Sequence, residues 1–272
     1  MACNFYKIGW RAISMLKKRI IPKFLIRGGR LVKARGFFND VREAGNPVST
    51  AKVYDSYGVD ELLFVDIDAT PEGRVVTGSI IERVSEEVFM PFTVGGGITS
   101  LAHIDDLLKS GADKVSINSA AVANPGFVTQ AAQRFGDQCI VVSIDYREED
   151  GGKKTVYSRC GHDMTTHDPV EWALRMQDAH AGEILMSSID RDGMMNGYDL
   201  DMIHALSGRL DIPLIASSGA GTLDHCAQAL DAGASAITIS SMFIFTDHSP
   251  IKVRTYLASN GGNVRNQKGS RS

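Results

Sequence analysis

Cysteine is scarce in this chain. Cys3, Cys139, Cys160 and Cys226 are the only four, and no two stand in a C-x-x-C or other paired spacing. Disulfide scaffolds and zinc ribbons are excluded, because both need clustered thiols. With no signal-peptide pattern ahead of them, the thiols are expected in a reduced, cytoplasmic setting. The seven histidines form no H-x-x-x-H or HExxH spacing, so no metal site and no cofactor are expected. Long apolar runs are missing too: stretches such as 140–144 and 236–239 are strand-length, which leaves no membrane span. Acids are absent from both ends, since residues 1–20 and 251–272 each hold five basic residues and no acidic one. Taking those ten from the 29 basic residues leaves 19 against 32 acidic ones in the middle. So acidic a body repels a polyanion, and nucleic acid is not an expected partner.

What is present is 43% hydrophobic residues and 27 glycines in a chain of 272, the composition of a folded protein with room for one large core. Short β-branched runs alternate with helical stretches, the pattern of repeated βα units around a parallel sheet. Eight strands are expected, at 20–26, 61–67, 91–94, 114–118, 139–145, 183–189, 213–217 and 236–240, with helices such as 49–57, 104–109, 169–179 and 223–232 between them. Eight units in about 250 residues predict an α/β fold, a closed (β/α)8 TIM barrel. The boundaries expected are an N-terminal extension over 1–15, the barrel over 16–259 and a flexible C-terminal tail over 260–272. Two strand-to-helix connections are long, 27–48 and 146–167, the second with a hairpin turn at Glu148-Glu149-Asp150-Gly151-Gly152.

Shifting the chain by 122 residues lays Glu61-Leu62-Leu63 on Glu183-Ile184-Leu185, Gly97 on Gly219, and Ile117-Asn118-Ser119 on Ile239-Ser240-Ser241. Two similar half-barrels follow, whose equivalent loops suit the two ends of one ligand. Gly95-Gly96-Gly97 after the third strand and Ser217-Ser218-Gly219-Ala220-Gly221 after the seventh let backbone N–H groups approach an anion, and Asn118-Ser119 and Ser240-Ser241 add donors to each cradle. The alternative is that these glycines only make tight turns. Two cradles at one mouth predict an elongated bisphosphate. Asp145 ends the fifth strand at the rim where a general acid or base belongs, or else caps the next helix. A 120-residue shift gives Asp145 the partner Leu25, which transfers no proton. Asp66 and Asp68, with Asp190, Asp192 and Gly193, end strands two and six; these acids either position hydroxyls or pair with Arg191 and Lys33.

These stretches resemble the cyclase subunit of imidazole glycerol phosphate synthase, from about residue 16 to 265. The likeness is most specific at Lys18-Arg19-Ile20-Ile21-Pro22, Val94-Gly95-Gly96-Gly97-Ile98, Ala112 through Asn118, Gly182 through Leu185 and Ser188 through Gly193. The resemblance implies a barrel that receives ammonia from a glutaminase subunit at its bottom, in a heterodimer, and uses it at the top on a bisphosphorylated ribulosyl substrate. It implies that Gly97, Asn118 and Ser119 form one phosphate site and Asp192, Gly193, Gly219, Ser240 and Ser241 the other. It also implies a charged ammonia gate of Arg19, Glu61, Lys114 and Glu183, a partner contact at Asp113, and a substrate-loop lysine at Lys33.

The family cyclises with two aspartates, one after strand one and one after strand five; here the second is Asp145 and the first is Leu25. Lys23 replaces a cysteine, Asp68 a threonine and Ser218 a glycine. A branch of the family resembling this chain in its leucine and in the Asp66-Ile67-Asp68-Ala69-Thr70 stretch works beside a glutaminase and a sugar amidotransferase in surface-polysaccharide assembly. The expected function is therefore a divergent synthase subunit of a glutamine-dependent amidotransferase, acting on a phosphorylated or sugar acceptor. The alternatives are the authentic histidine-pathway cyclase and a non-catalytic ammonia conduit.

Overall fold

The computed structural model describes residues 17–34, 37 and 41–265. The expected extension over 1–15 lies outside them, as do residues 266–272 of the expected tail. Twelve strands are present among the described residues: β1 (Arg19–Arg27), β2 (Arg30–Lys33), β3 (Arg42–Gly45), β4 (Leu62–Asp66), β5 (Phe92–Gly95), β6 (Lys114–Ile117), β7 (Ile140–Glu148), β8 (Lys154–Ser158), β9 (Asp163–Met164), β10 (Glu183–Ser188), β11 (Leu214–Ser217) and β12 (Ala236–Ile239). Eight of them run parallel in the order β10-β11-β12-β1-β4-β5-β6-β7, and β7 pairs with β10 to close the ring. This is the (β/α)8 barrel, its strands where the β-branched runs place them.

The other four strands build the two long connections. β2 folds back antiparallel on β1, with Leu25 opposite Val32, and β3 pairs with β2. β8 returns antiparallel along β7 from the pair Glu148 and Lys154, so the acidic, glycine-ended segment does make the hairpin turn, and β9 extends it. One helix, Pro47–Ser56, begins two residues earlier than its apolar spacing suggests, and another, Pro169–Asp178, begins where expected. Proline fits the first helical turn, and Asn46 and Asp168 accept backbone N–H groups there as caps.

The half-barrel repeat extends to details of the turns. Ser100 and Thr222, 122 residues apart, each cap a helix by accepting the N–H of His103 and His225 at 3.2 Å. At Gly111 and Gly233 an added Cβ would lie 2.4 and 2.3 Å from the Cβ of Ser85 and Ser207, again equivalent pairs. Most of the core lies between the strands and the surrounding helices. A smaller cluster of Ile21, Leu63, Val141, Leu185, Ile215 and Ala236 fills the barrel interior; these are inward-pointing positions at period two along their strands.

The expected tail begins too early. Beyond the last helix, Pro250–Ser259, Lys18 N–H donates to Asn263 O at 2.8 Å, and Val264 pairs with Lys18 and is buried. Gly261, at φ 80°, turns the chain so that one apolar side chain docks against the base of the barrel.

Candidate functional site

A cavity of about 180 Å³ opens at the C-terminal ends of β1 and β4 to β7, lined among others by Lys23, Leu25, Gly95, Gly96, Gly97, Asn118, Ser119 and Asp145. Gly96 and Gly97 have φ of 124° and 69°, and a Cβ on Gly97 would sit 1.7 Å from the carbonyl oxygen of Arg74. Only glycine fits there, so this loop brings its backbone to the cavity wall. Ser119 opens the helix Ser119–Ala123 and accepts the N–H of Arg159 at 3.0 Å. Asn118 turns away from a pure cradle role: its amide donates to Asp145 Oδ2 at 3.3 Å and to Ser143 O at 3.1 Å, so it orients the carboxylate.

The second cradle is built differently. Its walls are Lys23, Lys33, Asp192, Gly193, Ser218, Gly219, Thr238, Ser240 and Ser241, and its space is only about 20 Å³. Lys33, at the end of β2, is 3% exposed and donates to Ser240 Oγ from inside the cradle. Burial pushes its ammonium down to about 7; Asp192 opposes the drop and Lys23 reinforces it. Ser218 holds the left-handed φ of 77° that its equivalent Gly96 also needs, and its hydroxyl donates to Asp192 Oδ1 at 3.0 Å. Gly219 must remain glycine, because a Cβ would lie 2.1 Å from Gly197 O. The two halves thus keep the loop path and differ in what fills it.

Lys33 makes anion binding here visible as proton movement. At pH 8 an amine titrating near 7 is mostly neutral, and an anion in the cradle raises its affinity for a proton. Sulfate does not itself titrate in this range. Its binding should take up a substantial fraction of a proton at pH 8, measured by calorimetry in buffers of differing ionisation enthalpy, with sulfate at Gly219 to Ser241 in the crystal. Lys33→Met should remove the uptake, whereas proton-neutral binding by the unmodified chain would rule out the assignment of this cradle.

Asp145 is half-buried at the end of the inward-facing series on β7. Burial raises its carboxyl to about 6, with Asp192 adding to the rise and Lys23 and the Ser143 hydroxyl, which donates at 3.3 Å, opposing it. A carboxyl titrating there exchanges a proton near neutral pH, as a general acid or base requires. The unfolded group titrates near ~3.9. The folded state therefore holds the proton more tightly, and the stability tied to that proton is present below pH ~4 and lost as pH rises through about 6. Asp145→Asn should raise the melting temperature above pH 6 and leave it unchanged below pH ~4.

Leu25 faces the same mouth but is 4% exposed, packed with Val32, Ala34 and Ile67 and against the half-buried Val41 and Val65. The acids at the strand ends find other partners than those expected. Asp66 accepts from Arg74 at 2.6 and 3.1 Å, Asp68 from Arg27 at 3.0 and 3.1 Å, and Asp190 lies 3.5 Å from Arg147. The pairings with Lys33 and Arg191 do not form for these three, because Lys33 is drawn into the second cradle and Arg191 donates to Gly197 O. Asp192, with Ser218 and Lys23 beside it, belongs to the cradle.

At the opposite end the four charges at the strand starts form a closed ring. Arg19 reaches Glu61 at 2.7 Å and Glu183 at 3.1 Å, and Lys114 reaches each carboxylate at 3.0 Å. Thr93 also donates to Glu61 at 2.6 Å. Burial opposes the Arg19 charge, but Glu183 and Glu61 outweigh it and hold the guanidinium above its ordinary range. Asp113 lies beside this ring, exposed, one carboxylate oxygen accepting the N–H of Phe92 at 2.9 Å. Lys23 is the residue whose importance sequence reading understates: it lines both cavities. Among the described residues no group of three His, Cys, Asp or Glu side chains is placed to hold a metal, and no helix is long and apolar enough to cross a membrane.

A (β/α)8 barrel that gathers glycine-lined loops after two symmetry-related strands and a half-buried carboxylate at its C-terminal face has the layout of a barrel enzyme. The sequence agrees in family terms: the family model described as histidine biosynthesis protein matches residues 19–249. The chain belongs to that family, whose members are isomerases and cyclases built as TIM barrels.

Proposed function

We propose that this chain is the barrel subunit of a glutamine-dependent amidotransferase, taking ammonia from a glutaminase subunit at its lower face and delivering it to the mouth. The acceptor is a phosphorylated or sugar compound, and the bond formed is C–N. The observation that carries the reading is the ring of Arg19, Glu61, Lys114 and Glu183. Buried ion pairs contribute little net stability compared with apolar packing, so a stability role is a weak reason for four charges at the base of a barrel. Above the ring lies the apolar layer of Ile21, Leu63, Val141, Leu185 and Ile215, which suits passage of a neutral molecule better than an ion. A surface-polysaccharide role, with an acetamidino sugar as product and a sugar amidotransferase as further partner, is supported by Leu25 and by the Asp66 to Thr70 stretch. We place the reaction in the cytoplasm on the same grounds.

The test is reconstitution. A glutaminase subunit should form a complex with this chain in sedimentation experiments, and its glutamine hydrolysis should rise on binding. A glutaminase that neither binds nor responds counts against the proposal. The histidine-pathway cyclase is the second reading, favoured by the intact first cradle and Asp145; it requires turnover despite Leu25.

A further inference from the structure

We propose that Lys23 is a specificity-determining residue, whose ammonium binds an oxyanion carried on the middle of a ligand whose two ends occupy the two cradles. This rests on the proposed use of both cradles for phosphate groups and adds a third point of recognition between them.

The position of Lys23 is the first support. It lies on β1 two residues before Leu25, lines the cavity on the Asp145 side and lines the second cradle as well. No other lysine among the residues lining the mouth belongs to both spaces. A ligand running from Gly97 and Ser119 to Gly219 and Ser240 therefore passes this side chain.

Its coordination is the second. The residue is 7% exposed, and an ammonium carries three donors. Among the described residues its side-chain polar contacts are the Ser217 hydroxyl at 3.4 Å, which also accepts from Thr238 at 2.9 Å, and Asp192 Oδ1 at 3.9 Å, which already accepts from Ser218. One long hydrogen bond and one loose ion pair leave donor capacity on a buried charge. A buried charge so thinly partnered is expensive to maintain unless a ligand completes it.

The chemistry around it is the third. With Leu25 apolar, the charged groups beside Lys23 are Asp145, Asp192 and Lys33; the same cavity is also lined by Asp66, His103, Cys160 and Arg74, whose guanidinium is already held by Asp66 and Glu72. Asp145 and Asp192 repel a ligand oxyanion, and Lys33 is committed to Ser240 in the second cradle. Lys23 is then the group that can accept negative charge at the centre. The ligand class this selects is a bisphosphate whose carbon chain carries a carboxylate or an enolate-forming carbonyl, and a plain polyol bisphosphate is discriminated against.

The experiment compares two probes of equal length, arabinitol bisphosphate and carboxyarabinitol bisphosphate, by calorimetric titration of the full chain. The unmodified protein should bind the carboxylated probe about tenfold or more tighter, the size of one charge-assisted hydrogen bond in a buried site. Lys23→Met should erase that preference, so that the two probes bind with the same affinity whatever the change in their common level, and Lys23→Arg should keep part of it. Equal affinity of the unmodified chain for both probes overturns the proposal without any variant, and leaves the two-cradle reading standing. Weakening of both probes by the same factor in Lys23→Met, with the preference kept, overturns it too, showing a lysine that only supports Asp192. Failure of both probes to bind the unmodified chain overturns the two-cradle reading and this proposal with it.

Discussion

Lys114→Ala should abolish most transfer of nitrogen from glutamine while leaving the reaction with ammonium salts largely intact. Lys114 bridges Glu61 and Glu183 at 3.0 Å each, and among the described residues Arg19 is the only other cation that pairs with both. Removing Lys114 leaves two carboxylates sharing one guanidinium at the base of the barrel. Glu61 is nearly fully buried and cannot turn to water, whereas Glu183 and Lys114 keep some exposure. An uncompensated buried charge costs about 3–5 kcal/mol, and the partial exposure moves this case toward the lower end. The ring should rearrange, with Arg19 drawn between the two acids, and the path from the lower face should change with it. Ammonia added from solution can reach Asp145 through the open mouth, so that reaction is spared. The measurement pairs glutamine with ammonium chloride in the presence of the glutaminase and an acceptor. A tenfold or larger loss with glutamine alone is the expected result. Equal losses with both sources mean that the variant has damaged the barrel as a whole, and no loss with either means that the ring conducts nothing.

The ring shows what is readable from a linear sequence and what is not. Strand starts are fixed by β-branched runs, and inward positions alternate at period two, so Arg19, Glu61, Lys114 and Glu183 converge once eight parallel strands are granted. The same reasoning locates both glycine loops, which follow their strands, and Asp145, which the inward alternation of β7 carries to the mouth. The 122-residue repeat strengthens all of these assignments, because an accidental resemblance would not also preserve the Ser100 and Thr222 caps.

Legibility ends where a side chain's partner is chosen by a loop. Lys33 lies ten residues beyond Lys23 in sequence, yet the β1–β2 hairpin folds it back into the cradle beside Ser240. Nothing in local spacing says so, because the hairpin turn at Gly28 and Gly29 decides it. Asp66 and Asp68, for which the sequence leaves open hydroxyl positioning or pairing with Arg191 and Lys33, meet Arg74 and Arg27, which the loop after β4 and the end of β1 bring closer. Asn118 has the composition of a cradle residue and the geometry of a support for Asp145. Val264 illustrates the same limit at the chain's end, where one apolar residue in a polar run docks because a glycine turn aims it.

The parent cyclisation should be slow in this chain, and Leu25→Asp should not restore it. Losing one of two acid/base groups costs roughly 10²- to 10⁴-fold, so the unmodified protein, given the ribulosyl intermediate and free ammonia, should turn over slower than a two-aspartate barrel by about that factor. A new aspartate at position 25 would enter a patch of Val32, Ala34 and Ile67, with Val65 beside them, and no donor from that patch would meet its carboxylate. Burying a polar group without a partner costs roughly 1–3 kcal/mol in proteins, and the same desolvation would push the carboxyl above its usual range. The variant should therefore melt several degrees lower and gain less than about tenfold in turnover. Opening the patch by adding Val32→Ser should return stability to Leu25→Asp by giving the carboxylate a donor from β2, and only then should activity rise. Assays of the three proteins with the same intermediate, alongside thermal melts, separate these effects. Robust turnover by the unmodified chain would show that Asp145 works without a second carboxylate and would make the histidine-pathway cyclase the better reading, whereas full rescue by Leu25→Asp alone would show that the patch yields easily and that position 25 is the whole of the difference.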